Sequence, residues 1–205
     1  MNTFTRSFSK AIFLAMVIPI CAQGQEPSSS SLACKDALAP AFNVEGVVWK
    51  PAEAVSWNDI KDGAAKFAER DGRKGYRFAY DFSRVLYHFR WDGPPLELDL
   101  SKAKSFSFWV HGENADAILR GIFYLKSGKG WYGRYFDTGN GWNCVKVNLG
   151  EMWKEGAPAG WDHVDGIRIS LEKAGDGQAA ATIGEVTFDA KEVEVVAFQP
   201  PKEDA

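Results

Sequence analysis

The chain has few cysteines, no long apolar run, no block of basic residues and very little helical periodicity, and each shortage excludes something. Its one strongly apolar stretch, AIFLAMVIPI at residues 11–20, is about half the ~20 residues a membrane-spanning helix needs, so no span is expected. The net charge is -3, with acids and bases interspersed, which argues against a nucleic-acid partner. The three cysteines form no CxxC and no Cys/His cluster, so a zinc site is not expected. No GxSxG, HExxH or phosphate-cradling glycine loop is present, since DGRKG and GKGWYG lack a strand-to-helix context. No internal repeat marks a solenoid or propeller.

What is present begins with the first 24 residues. Arg6 and Lys10 precede the short apolar stretch, and small residues follow it, with Ala22 and Gly24 at the spacing of a cleavage site. Residues 1–24 therefore read as a secretory signal peptide, which places the mature chain in a secreted or periplasmic setting. A lipidated Cys21 is disfavoured because Ile20, not a small residue, precedes it. Residues 25–33, with the phrase EPSSSS, read as a flexible spacer. Residues 34–198 form a single domain of ordinary size, and residues 199–205 a polar tail. Cys34 and Cys144 remain after cleavage; in an oxidising compartment they form either a disulfide or two buried thiols.

Within the domain, alternation of period two recurs. GYRFAYDF sets Tyr76, Phe78 and Tyr80 against Arg77 and Ala79; VLYHFRW sets Val85, Tyr87, Phe89 and Trp91 against His88 and Arg90. SFSFWVH sets Phe106, Phe108 and Val110 against Trp109 and His111; GIRISLE sets Ile167, Ile169 and Leu171 against Arg168 and Ser170. Such segments are strands with one buried face, and DGRKG, DGPP, HGEN, KSGKG, DTGNG and KAGDG punctuate them as turns. Helical signals are limited to WNDIKDGAAKFAE, interrupted by Gly63, and to one turn at EMWKEG. Regular strands without βα alternation give an all-β sandwich or barrel.

From about Phe78 to Phe188 the order of phrases resembles the jelly-roll carbohydrate-binding modules of the galactose-binding-domain-like group, found with secreted glycoside hydrolases. LDLSKAKSFSFWVHG, GKGWYGRYF, GWNCVKVNL and GWDHVDGIRISLEKAGDGQAAATIGEVTF carry the resemblance. It implies a jelly-roll β-sandwich of two antiparallel sheets and a carbohydrate as partner. It also implies a structural calcium, because Glu185 stands where such modules often carry an Asp ligand. Asp189 and Glu45 are candidates to complete that site, and the simpler reading of Glu185 is a surface acid at a strand end.

The stretch GKGWYGRYFDTGNGWNCVKVNL, residues 128–149, concentrates aromatic rings among glycines. In WYGRYF one face carries Trp131, Gly133 and Tyr135, the other Tyr132, Arg134 and Phe136. Trp131 and Tyr135 are the expected exposed pair, with Gly133 leaving room for a ligand between them. A pyranose offers a C–H-rich face to a ring and hydroxyls to fixed polar groups. If the strands share a sheet, Trp109, His111, Arg168, His88 and Arg90 line the same surface, a set suited to a uronic or sulfated sugar. The expected role is thus non-catalytic carbohydrate binding, with a secreted glycoside hydrolase or a surface protein as companion. Two alternatives stand beside it: an adhesive β-domain that binds another protein, and a jelly-roll polysaccharide lyase. The lyase is the weaker, because Tyr87 and His88 are adjacent in a strand and face opposite ways, and no acid sits alone in an apolar strand to be tuned as a glycosidase acid.

Overall fold

A computed structural model describes residues 39–52, 63 and 65–189. The signal-peptide, spacer and tail assignments and Cys34 lie outside these residues. Among the described residues no helix is long and apolar enough to cross a membrane. A short helix α1 (Ala39–Asn43) leads into ten strands: β1 (Lys50–Pro51), β2 (Lys66–Arg70), β3 (Arg73–Asp81), β4 (His88–Asp92), β5 (Ser105–Glu113), β6 (Ile118–Phe136), β7 (Gly141–Asn148), β8 (Trp153–Pro158), β9 (Gly166–Lys173) and β10 (Gln178–Asp189). They form two five-stranded antiparallel sheets, ordered β1-β4-β9-β6-β8 and β2-β3-β10-β5-β7. This is a sandwich, one of the two architectures expected from the alternation, and the jelly roll that the resemblance implies.

The inward residues are the ones that alternation selects. Tyr76, Phe78 and Tyr80 on β3, Phe89 and Trp91 on β4, Phe106, Phe108 and Val110 on β5, and Ile167, Ile169 and Leu171 on β9 are all buried. Rings from the two sheets meet edge to face across the core. Phe78 lies 5.4 Å from Trp91, and Tyr80 stacks at 3.8 Å on Phe89. The indole N–H of Trp91 donates to the carbonyl of Gly63, so the glycine that breaks the helical pattern in the sequence closes over the core.

The structure departs from the sequence reading in two places. Residues 66–70, the end of WNDIKDGAAKFAER, are the edge strand β2 rather than helix, paired along β3 from Lys66↔Arg77 to Arg70↔Arg73. Tyr87 points outward and is two-thirds exposed, not buried with Val85 and Phe89. Residues 86 and 87 form a bend between the 3₁₀ turn at Phe82–Arg84 and β4, so Tyr87 leaves the alternation that Val85, Phe89 and Trp91 keep. β6 is a single run of 19 residues by hydrogen bonding, but it is not straight, and its bend falls at the KSGKG turn read from the sequence. Arg120 and Tyr135 would lie roughly 50 Å apart along an extended strand, yet the guanidinium sits 3.7 Å from the centre of the tyrosine ring. Gly121 abuts the Phe136 ring, and Tyr124 meets Trp131 at 6.0 Å. The element doubles back at Gly128, whose φ of +57° is open to glycine at little cost. Its first limb pairs with β9 and its second with β8.

Candidate functional site

That hairpin builds the aromatic face. On the outside of the first sheet its two limbs present Arg120, Ile122 and Tyr124, then Trp131, Gly133 and Tyr135. Strand β9 contributes Arg168, Ser170 and Glu172 beside the first limb, and β4 adds His88, Arg90 and Asp92 beyond them. Trp153 on β8 lies opposite Gly133. Tyr132 and Phe136 turn inward and are buried, so Trp131 and Tyr135 are the outward pair, half-buried and exposed respectively.

The space at Gly133 is not left for a ligand, as the sequence suggests. A Cβ there would come within 2.5 Å of the Trp153 indole, so the missing side chain seats Trp153 against the sheet. Trp153 meets Tyr135 at 4.4 Å and Tyr124 at 6.1 Å. Nor are the rings bare. Arg168 stacks 4.3 Å over Trp131 while pairing bidentately with Asp92 at 2.5 and 3.0 Å. Arg120 stacks on Tyr135 and pairs with Glu172 at 2.5 Å. Each guanidinium is held by a carboxylate, takes one face of a ring and leaves the rest of the aromatic surface available.

Between these pairs the face is polar and underused. His88 Nε2, Arg90 Nε and Ser170 Oγ are buried without a hydrogen-bond partner among the described residues. Arg90 lies directly across from Ser170, and His88 from Glu172. Burial, then the Arg90 charge, holds the His88 imidazole below its ordinary value, so it is the neutral form that faces the sheet near pH 7. Burial, then Glu155, pushes the Tyr124 phenol up to about 12. A phenol held that firmly protonated is a hydrogen-bond donor and a poor base. Arg134 is paired with Glu151 at 3.2 Å.

Trp109 and His111 are not part of this face. They project from β5 on the outside of the second sheet, so the sandwich separates them from Trp131, Tyr135, Arg168, His88 and Arg90. There Arg73 stacks 3.8 Å over Trp109, Arg70 reaches His111 at 3.1 Å, and Arg77 chelates Glu113 at 2.7 to 3.1 Å. Glu113 is held below its ordinary value by the Arg77 hydrogen bonds. This cluster is largely self-satisfied.

Glu185 does not fit a calcium site. It occupies an irregularity in β10 with φ +51°; its backbone N–H donates to Asn43 Oδ1, and its carboxylate is paired with Arg73. Asp189 accepts from the Ser105 hydroxyl at 3.3 Å. No group of three or more acids, histidines or cysteines is placed to hold a metal among the described residues. Cys144 lies on β7 with its thiol free and exposed.

Sequence reasoning missed Tyr124, Trp153, Arg120 and Glu172. Trp153 sits in EMWKEG, read as a turn, and the other three gain meaning only when β6 folds back beside β9. Ser170 was visible as an outward position in GIRISLE, but nothing in the sequence marks its hydroxyl as buried.

No protein-family model matches the chain, and no curated protein matches it. The structure is similar to the family 11 carbohydrate-binding module of a cellulosomal cellulase of Clostridium thermocellum, at 15% identity and a TM-score of 0.52 over 73% of this chain and 92% of that one. A family 28 module specific for non-crystalline cellulose aligns at 15% identity over 80% of this chain and 97% of its own, with a TM-score of 0.46. The chain thus has the jelly-roll β-sandwich fold of the carbohydrate-binding modules.

Proposed function

We propose that the chain is an exported, non-catalytic carbohydrate-binding domain that takes a poly- or oligosaccharide on the outer face of the first sheet. The observation that carries this reading is the conjunction on one face of Trp131, Trp153 and Tyr135 with the unpartnered polar atoms of His88, Arg90 and Ser170. Apolar surface beside unsatisfied donors is what a pyranose needs, since it carries C–H faces and hydroxyls together. The shared fold supports the reading without fixing it. A secreted glycoside hydrolase or a surface protein would be the companion that gives such a domain its use.

The test is affinity electrophoresis of the full chain through gels containing neutral and acidic polysaccharides, with an inert protein as mobility control. Retardation by a glycan, lost in Trp153→Ala and kept in Trp109→Ala, is the expected pattern. The reverse pattern would move the site to the second sheet. No retardation of a folded protein by any glycan would leave a protein-binding β-domain as the better reading.

A further inference from the structure

We propose that Arg90 is the seat of an anionic group, and that the glycan is therefore an acidic one bearing carboxylates or sulfates. This rests on the reading of the first sheet as the sugar-binding face and adds the class of sugar.

Three carboxylates on or beside that face are already paired: Asp92 with Arg168, Glu172 with Arg120 and Asp165 with Lys126. Glu155, opposite Trp131 on β8, is exposed and makes no ion pair with Arg90. Among the described residues, no carboxylate and no hydrogen-bond acceptor engages the Arg90 guanidinium, and its Nε is buried without a partner. Its cross-strand neighbour is Ser170, fully buried with an unpartnered hydroxyl, and its neighbour two residues along β4 is His88, with Nε2 unpartnered. A partly desolvated cation without a counter-charge is unfavourable unless something else supplies one. The other two arginines of the face show what that something is on this protein, since each is held by a carboxylate. Arg90 offers only donors, and its terminal N–H groups form a planar fork that matches two oxygens of a carboxylate or sulfate. A neutral sugar hydroxyl would leave the charge uncompensated.

The experiment measures binding of the full chain to polygalacturonate, to the same polymer with its carboxylates reduced to alcohols, and to a carrageenan as the sulfated probe. Wild type is expected to bind at least one anionic polymer more tightly than the reduced polymer, by roughly 10- to 100-fold, the range of a charge-assisted hydrogen-bond pair. Raising the salt should narrow that gap. Preference for polygalacturonate or for carrageenan tells carboxylate from sulfate, and either supports the proposal. Arg90→Gln should erase the preference for the charged polymer over the reduced one, so that the ratio of the two affinities, rather than either affinity alone, is the readout. Arg90→Lys keeps the charge without the fork and should fall between, which also guards against a glutamine variant that folds poorly. Equal binding to charged and reduced polymers, or a preference untouched in a folded Arg90→Gln, overturns the anionic seat but leaves the sugar-binding face standing. Failure of folded wild type to bind these polymers or any neutral glycan overturns both.

Discussion

Replacing Trp131 by alanine separates a platform residue from a core residue, and the structure sets the size of effect to expect. Trp131 is half-buried and has two specific contacts, the Arg168 guanidinium 4.3 Å above its ring and the edge of Tyr124 at 6.0 Å. A partly exposed cation–π contact contributes about 0.5–1 kcal/mol, and an edge-to-face aromatic pair about 0.5–1.5 kcal/mol. Arg168 stays anchored after the change because Asp92 holds it through two hydrogen bonds. The loss should therefore be about 1–2.5 kcal/mol, a fall in Tm of roughly 2–10 °C for a domain of this size. Trp91→Ala is the calibrating partner. That ring is wholly buried between Phe78 and Phe89, and its N–H is bonded to Gly63, so about 3–5 kcal/mol or more should be lost. Differential scanning calorimetry on both variants, with affinity electrophoresis on the same preparations, gives the comparison. Trp131→Ala should lose glycan retardation with the smaller thermal cost. A Tm fall as large as that of Trp91→Ala would show Trp131 to be structural, and the reasoning about the face would fail with it.

Gly133→Ala should displace the Trp153 indole, because the new methyl would stand 2.5 Å from it; a loss of about 1–3 kcal/mol with weakened glycan binding is expected, and unchanged binding would remove Trp153 from the site. His88 is held below its ordinary value of 6.5 in the folded chain, so the unfolded chain binds more protons as pH falls through that value, and stability should decline from about pH 6.5 downward. His88→Gln should flatten that part of the urea-denaturation profile, and an identical slope in both proteins would deny His88 the role. Cys144 is exposed, so a thiol reagent should label it in the folded, non-reduced protein and fail to do so in Cys144→Ser. Lack of labelling in the wild type would instead support the bridge to Cys34.

Much of this was legible beforehand, for a reason visible in single strands. Phe106, Phe108 and Val110 alternate with Ser107, Trp109 and His111, and a two-residue period cannot be met by a helix, so strand and buried face follow together. The same rule set Trp131 and Tyr135 apart from Tyr132 and Phe136, but the choice of the outward pair rested on Gly133, whose space Trp153 occupies. The rule failed at Tyr87, which lies in a bend before β4 begins, and at Lys66 to Arg70, where a charged edge strand alternates too weakly to be distinguished from a helical turn.

Alternation says which residues of one strand share a face, never which strands share a sheet. Sequence alone thus determined the class of fold, most of the core and the outward position of Trp131, Tyr135, Trp109, His111, Arg168, His88 and Arg90. Only the tertiary structure decided that Trp109 and His111 belong to the opposite sheet, that the limbs on either side of the KSGKG turn lay Arg120 onto Tyr135, and that Trp153 fills the space above Gly133. Sheet order is set by pairing between residues far apart in the chain, and no local pattern encodes such contacts.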